Sequence, residues 1–264
     1  MASAASLEGD PGGRTVVVHG VTPAHTMRWL AAGWDDFMRA PLPGLLHGVL
    51  LALFGLLLFG LARDRFWLLA GAFSGFLLMA PILATGLYAI SRALERGAPV
   101  GVGTAWRAWT SGNLRLVLFG VLLAVAGTGW VLTSASLITV FASAPVRTPL
   151  EFIRIVALDP GWLFEGWMAL GGLLAAPVFA SSVIAIPLLL ERRIGVLGAV
   201  LTSWRAVLRN PVTMALWAAL LVLFTLFGMG TLMFGFVVVL PWLGHASWHA
   251  YRDLVDASAL PHND

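Results

Sequence analysis

The stretch GHASWHAYRD, residues 244–253, sets His245 and His249 four residues apart, beside Trp248, Tyr251 and Arg252. On a helix that spacing puts both rings on one face, near enough to share an ion or a ligand. His47 is the third candidate. It follows Arg39 by eight residues, about 12 Å along a helix. His245 precedes Arg252 by seven, about 10 Å, so similar depths are expected. Neutral imidazoles bind copper, zinc or haem iron without help from thiolate or carboxylate. The same rings can equally form a hydrogen-bonded interior cluster or hold a small solute, and spacing alone leaves these readings open.

Little else could do chemistry. Cysteine is absent, which excludes disulfides, thiolate metal sites and cysteine nucleophiles. No phosphate-binding Walker loop, dinucleotide fingerprint, nucleophile elbow or His-Glu-x-x-His occurs in the chain. No acid or arginine stands at mid-span, so a proton or coupled-ion relay of the usual kind lacks its parts. The chain is therefore expected not to be an enzyme.

The elements that must position the histidines are apolar helices. Of 264 residues 59% are hydrophobic and 11% charged, where a soluble domain carries about 25% charged. Asp, Glu and Arg are missing from residues 40–62, 66–91, 116–146, 166–190 and 210–251. About 20 apolar residues cross the hydrocarbon core as a helix, so each run supplies one span and the last supplies two. The break in the last run is expected at Phe227-Gly228-Met229-Gly230-Thr231. The fold class is thus an all-α membrane protein of six transmembrane helices.

All sixteen basic residues are arginine and the net charge is +3. They are scattered, which argues against nucleic acid as a partner, and their placement fits topology instead. Twelve arginines fall on the side holding both termini and four on the other, so the positive-inside rule puts both termini in the cytoplasm. Residues 1–21 read as a disordered cytoplasmic tail and 257–264 as a C-terminal one. Residues 22–256 form the six-span domain.

Within that domain a pattern recurs three times, over about 22–97, 98–193 and 194–256. Trp34, Trp106 and Trp204 each stand seven residues before a Pro or Asn that opens an apolar run. Arg107, Arg205 and Arg209 flank the later copies. Trp and Arg suit an amphipathic helix at the interface, with rings at headgroup level and guanidiniums near anionic lipid. The even spans carry Pro81, Pro177 and Pro241, and four residues after each come Thr85, Ser181 and His245. A polar residue at this slot in all three copies is expected to face the bundle. Each unit is read as one interfacial helix plus two spans.

Three stretches carry a resemblance: LGHASWHAYRDLV at 243–255, GLYAISRALERG at 86–97, and Met27-Arg28-Trp29-Leu30-Ala31-Ala32-Gly33-Trp34, which departs slightly from a WRWLAAGW pattern. With them, residues 22–256 resemble a family of uncharacterised bacterial polytopic integral membrane proteins, known only as a domain of unknown function. The resemblance implies a multi-pass inner-membrane protein and no activity. The expected role is an accessory, assembly or scaffold factor, with the lipid bilayer and other membrane proteins, such as a respiratory or envelope complex, as partners. The alternative is a protein handling metal, haem or a small solute through His47, His245 and His249.

Overall fold

The computed structural model describes residues 16–62, 71 and 82–263. Helix α1 (Ala24–Arg39) buries Trp29, Leu30, Gly33 and Phe37 on one stripe, with Thr26 and Asp36 on the same face. A single-residue turn leads into α2 (Pro41–Ala62), where the proline stands at the first position, whose amide would have no helical acceptor. Then come α3 (Thr85–Glu95), α4 (Val102–Thr110) and α5 (Leu114–Phe141). Asn113 caps α5 by accepting from the amides of Arg115 and Leu116. Thr148 and Glu151 form a reciprocal capping box that opens the short α6 (Pro149–Phe152), continued by a π-helical turn over Ile153–Ala157.

The second half repeats the alternation of long and short pieces. Helix α7 (Leu163–Ser182) contains Pro177 and leads into α8 (Ala185–Glu191). Next are α9 (Val196–Arg209), α10 (Pro211–Gly230) and α11 (Phe236–Leu254), which contains Pro241. Strand β1 (Val17–Val18) pairs antiparallel with β2 (Val255–Asp256), Val17 opposite Asp256.

Among the described residues four helical segments are long and apolar enough to cross a membrane: Pro41–Gly60, Leu114–Phe141, Leu163–Glu191 and Pro211–Gly230. The chain is an all-helical membrane protein, with one small strand pair among the described residues. Most of the expected second span, Pro81 included, lies outside the described residues, and α3 is its final part. Helix α11, the expected sixth, is 19 residues long and is not one of the four. Its two histidines, Arg252 and Asp253 lower its hydropathy.

The reversal before α11 differs from the glycine turn expected at 227–231. Helix α10 runs on through Gly228 to Gly230, and the turn is made by Thr231–Gly235, with Leu232 and Met233 at φ of 52° and 72°. Gly228 serves close approach instead, since a Cβ there would strike the Phe236 ring. The Thr231 hydroxyl organises the turn, donating to the Gly228 carbonyl at 2.9 Å and accepting from the Gly235 amide at 2.8 Å.

Packing centres on α11, which lies against α1, α2 and α3. Small residues let the backbones approach. A Cβ on Gly33 would meet the backbone of Ala246 at 2.7 Å, one on Gly48 the Val237 carbonyl group, and one on Gly244 the Leu87 side chain at 3.2 Å. The largest fully buried side chains include Trp29, Trp217, Trp248 and Tyr251, with Leu188 and Leu189 of α8. Trp29 and Trp217 meet edge to face at 5.5 Å, a favoured aromatic geometry.

This core lies toward the end of the molecule where both termini are tied down. The expectation of a free tail over 1–21 needs correcting for residues 16–21. β1 is paired, the His19 amide donates to Leu254 O, and Asn210 bonds both the Val21 amide and the His19 carbonyl. Unpaired backbone amides beside a buried core are costly, and these bonds satisfy them. The C-terminal residues are held likewise, with the Arg193 amide on Pro261 O and the Asn263 amide on Glu191 O.

Candidate functional site

The face of α11 bearing the histidines meets α1 and α3. His249 Nε2 lies 2.8 Å from Asp36 Oδ2, and His245 Nδ1 lies 2.7 Å from Ser91 Oγ. A carboxylate only accepts, so His249 donates its Nε2–H to Asp36. The two contacts tie α11 to α1 through His249 and to α3 through His245.

His245 Nε2 is buried and has no partner. His47 Nδ1 faces the Pro43 carbonyl at 3.3 Å, where only a ring N–H can bond, so a neutral His47 carries its lone pair on Nε2, which is also buried and without a partner. The His47 ring rests on α3 at Gly86, where a Cβ would meet Nε2 at 2.8 Å, and beside Trp109 at 4.5 Å between centroids. Among the described residues no group of three or more His, Asp or Glu side chains is gathered closely enough to hold a metal ion.

A second polar group closes the end of α11. Arg252 Nε lies 3.0 Å from Glu95 Oε1, and its Nη1 lies 3.8 Å from Glu191 Oε1. Tyr251 donates to Glu191 Oε2 at 2.6 Å, and Trp248 Nε1 donates to Glu95 Oε2 at 3.3 Å. Arg252 thus bridges the ends of α3 and α8. Glu191 is 3% exposed, so its charge needs these partners to remain in place. Arg192 Nε stands 3.4 Å from Glu191 Oε2 without hydrogen-bond geometry, while its Nη1 donates to Leu260 O at 2.8 Å.

The slot after each proline serves three different bonds. The Thr85 hydroxyl donates back to Ile82 O at 2.7 Å, and Ser181 accepts from Trp204 Nε1 at 2.9 Å. His245 holds Ser91. Of the proposed anchors, Trp34 stacks edge-on to Trp242 at 5.5 Å, Trp106 is 62% exposed, and Arg205 and Arg209 are exposed. Arg107 lines a cleft between α3, α4 and the start of α5, together with Arg92, Arg96 and Arg115.

Asp36 and Ser91 were not singled out from the sequence, although they complete the site. A signal existed for Asp36. It falls on the stripe Trp29, Leu30, Gly33, Phe37, and an acid on an apolar stripe requires a buried partner. Asp253 accepts from Trp29 Nε1 at 2.8 Å and stands 3.8 Å from Arg28.

Residues 68–191 match the model of a family described as "Predicted integral membrane protein (DUF2189)". The resemblance read from the sequence holds over that part, which contains GLYAISRALERG, while residues 243–255 lie beyond it. No curated protein and no solved structure matches the chain. The match supports an integral membrane protein and carries no assigned role.

Burial alone would raise the Asp36 carboxyl. The hydrogen bond from His249, with its favourable charge interaction and the nearby Ser91 hydroxyl, outweighs it and holds the carboxyl below its ordinary 3.8. A carboxyl lowered on folding stabilises the fold above its unfolded value, and that contribution is lost as pH falls through the folded value. Thermal melts of the solubilised protein are expected to show a loss of stability below about pH 4. Asp36→Asn should lower the melting temperature at neutral pH and flatten that acid limb. An unchanged limb in the variant would place the acid sensitivity elsewhere.

Proposed function

We propose that this chain is a non-enzymatic six-span protein of the bacterial inner membrane that acts through its surfaces, as an accessory, assembly or scaffold factor for a membrane complex or its lipid. One observation carries this reading. In the most apolar stretches of α2, α5 and α10 only 33%, 28% and 22% of the residues are buried, against 50% for Leu163–Glu191. These helices present wide apolar faces to whatever surrounds them, with Val117, Val121 and Val125 along α5 and Val222, Leu223 and Leu226 along α10 exposed. In a membrane such faces are covered by acyl chains or by partner helices.

The six-span topology completes the proposal, with α11 and the segment around 66–91 as the remaining two spans and both termini cytoplasmic. The threefold unit is supported by the order of elements. Helices α1, α4 and α9 each precede an apolar helix that opens at Pro41, Asn113 or Pro211, and the far ends of α3 and α8 meet α11 at Arg252. The chain has no cysteine, so single replacements report cleanly. Ser143→Cys should react with an impermeant maleimide added to spheroplasts, and Ser111→Cys and Ser258→Cys only after permeabilisation. Labelling of Ser258→Cys from outside would overturn the orientation.

A second reading is favoured by the two buried, unpartnered Nε2 atoms of His47 and His245. A metal-bound histidine commonly donates its other ring proton to a carbonyl or a polar group; His47 Nδ1 faces the Pro43 carbonyl and His245 Nδ1 the Ser91 hydroxyl. Under this reading copper, zinc, haem iron or a small solute is held between α2 and α11. Native mass spectrometry of gently solubilised protein separates the two readings. The surface-acting role predicts retained phospholipid or a defined partner subunit and no metal adduct. A stoichiometric metal mass that is lost in His47→Ala or His245→Ala would reject it in favour of the second.

A further inference from the structure

Helices α1, α4 and α9 each bury one face and carry an apolar stripe on another. On α9 the buried face is Ala199, Thr202, Ser203 and Ala206, while Leu197, Leu201 and Leu208 stand exposed opposite it. Steps of four and seven residues keep such side chains on one line of a helix. On α1 the exposed residues Met27, Ala31, Trp34 and Met38 follow the same steps. On α4 they are Val102, Trp106 and Trp109. Arginine is the charge beside each stripe. Arg28, Arg39, Arg107, Arg205 and Arg209 are exposed on these helices, against one exposed acid, Asp35. Arg28 is shared with Asp253. A helix that faced water on its outer side would gain nothing from a second apolar stripe, so three in one register call for a covering partner.

We propose that the three stripes form a collar that binds the surface of one anionic phospholipid leaflet. Continuity with the spans is the first reason. Each short helix stands one to three residues before a long apolar one, and Leu42, Leu114 and Val212 are exposed in the first turns that follow. Acyl chains that cover the start of α2, α5 and α10 therefore reach the short helices as well. Charge is the second reason. Five arginines against one acid suit phosphate headgroups, and their long stems let the guanidiniums reach that level from the edge of a stripe. The three helices also share one end of the molecule. Trp29 of α1 bonds Asp253, while Asn113 and Asn210, which join α4 and α9 to their spans, bond Leu189 O and His19 O. A leaflet meets all three at once. The collar departs from the anchors read in the sequence, because Trp204 turns inward with its Nε1 on Ser181 and α9 presents leucine instead. This inference deepens the lipid side of the role proposed above and rests on the long helices facing acyl chains there.

The test puts a nitrobenzoxadiazole label on the cysteine-free full chain at Met27→Cys, Trp106→Cys or Leu201→Cys, with Val121→Cys on α5 as the span reference. Labelled protein is reconstituted into phosphatidylcholine vesicles with or without phosphatidylglycerol, the acyl chains brominated at a shallow or a deep position. Melting temperatures near wild type confirm that each variant is folded. The three stripe labels are expected to be quenched most by shallow bromines, at a depth of about 5–10 Å. Val121→Cys should respond to the deep ones. Phosphatidylglycerol should strengthen the shallow quenching at Leu201→Cys, and adding Arg205→Gln and Arg209→Gln should abolish that gain. Water-like emission without quenching at the stripes, beside a quenched Val121→Cys, would overturn the collar while leaving the spans in lipid. A shielded emission that no bromine quenches would overturn it in favour of a protein cover. Stripe quenching with an unquenched Val121→Cys would instead support the collar and count against the open span faces. Equal quenching in both lipid mixtures would overturn the anionic preference.

Discussion

A helix that carries two histidines, a tyrosine and an arginine can be packed among apolar neighbours only if those groups find partners. Helix α11 imposes that condition on the molecule. Its partners come from across the chain: Asp36 from α1, Ser91 and Glu95 from α3, Glu191 from the end of α8. The neighbours then fix the rest. Trp29 Nε1 donates to Asp253 and Trp242 Nε1 to Leu30 O, so α1 and α11 hold one another by side-chain bonds as well as by the close approach at Gly33 and Ala246. Such bonds act in a low-dielectric setting, where leaving one group unmet costs more than making the bond gains.

This arrangement divides the protein into two regions of different character. One end is dense, with Trp29, Trp217, Trp248 and Tyr251 buried, both chain ends secured, and Glu95 and Glu191 paired with Arg252. Away from it, α5 and α10 run with most of their surface uncovered. A water-soluble protein could not tolerate that, whereas a bilayer solvates it. The dense end can therefore hold the geometry of the arginine cleft and the histidine contacts while the apolar faces stay open to lipid or to other helices.

Much of this was legible in the sequence, and the limits have physical causes. Long runs without charge announce spans by length alone, and four are present as such. The capping box at Thr148 and Glu151 was readable because it is local. The turn after α10 was not, because Gly228 and Gly230 look like turn residues while Gly228 is used for contact with Phe236. His245 and His249 stood out by spacing, but spacing cannot show that one faces Ser91 and the other Asp36. Those partners lie 154 and 213 positions away in the chain. The arginine cleft was hidden for the same reason: Arg92, Arg96, Arg107 and Arg115 are well spaced in sequence and are brought together by the α3–α4 pairing.

The central claim is that the histidine face of α11 fastens helices together. The most direct measurement is a double-mutant cycle between Asp36 and His249, using Asp36→Ala, His249→Ala and the pair, with unfolding followed in mixed micelles of rising dodecyl sulfate. A tie between them predicts single losses that do not add, with a coupling of about 0.5–3 kcal/mol. Additive losses, with no coupling beyond error, would contradict the account and return the histidines to ligand binding.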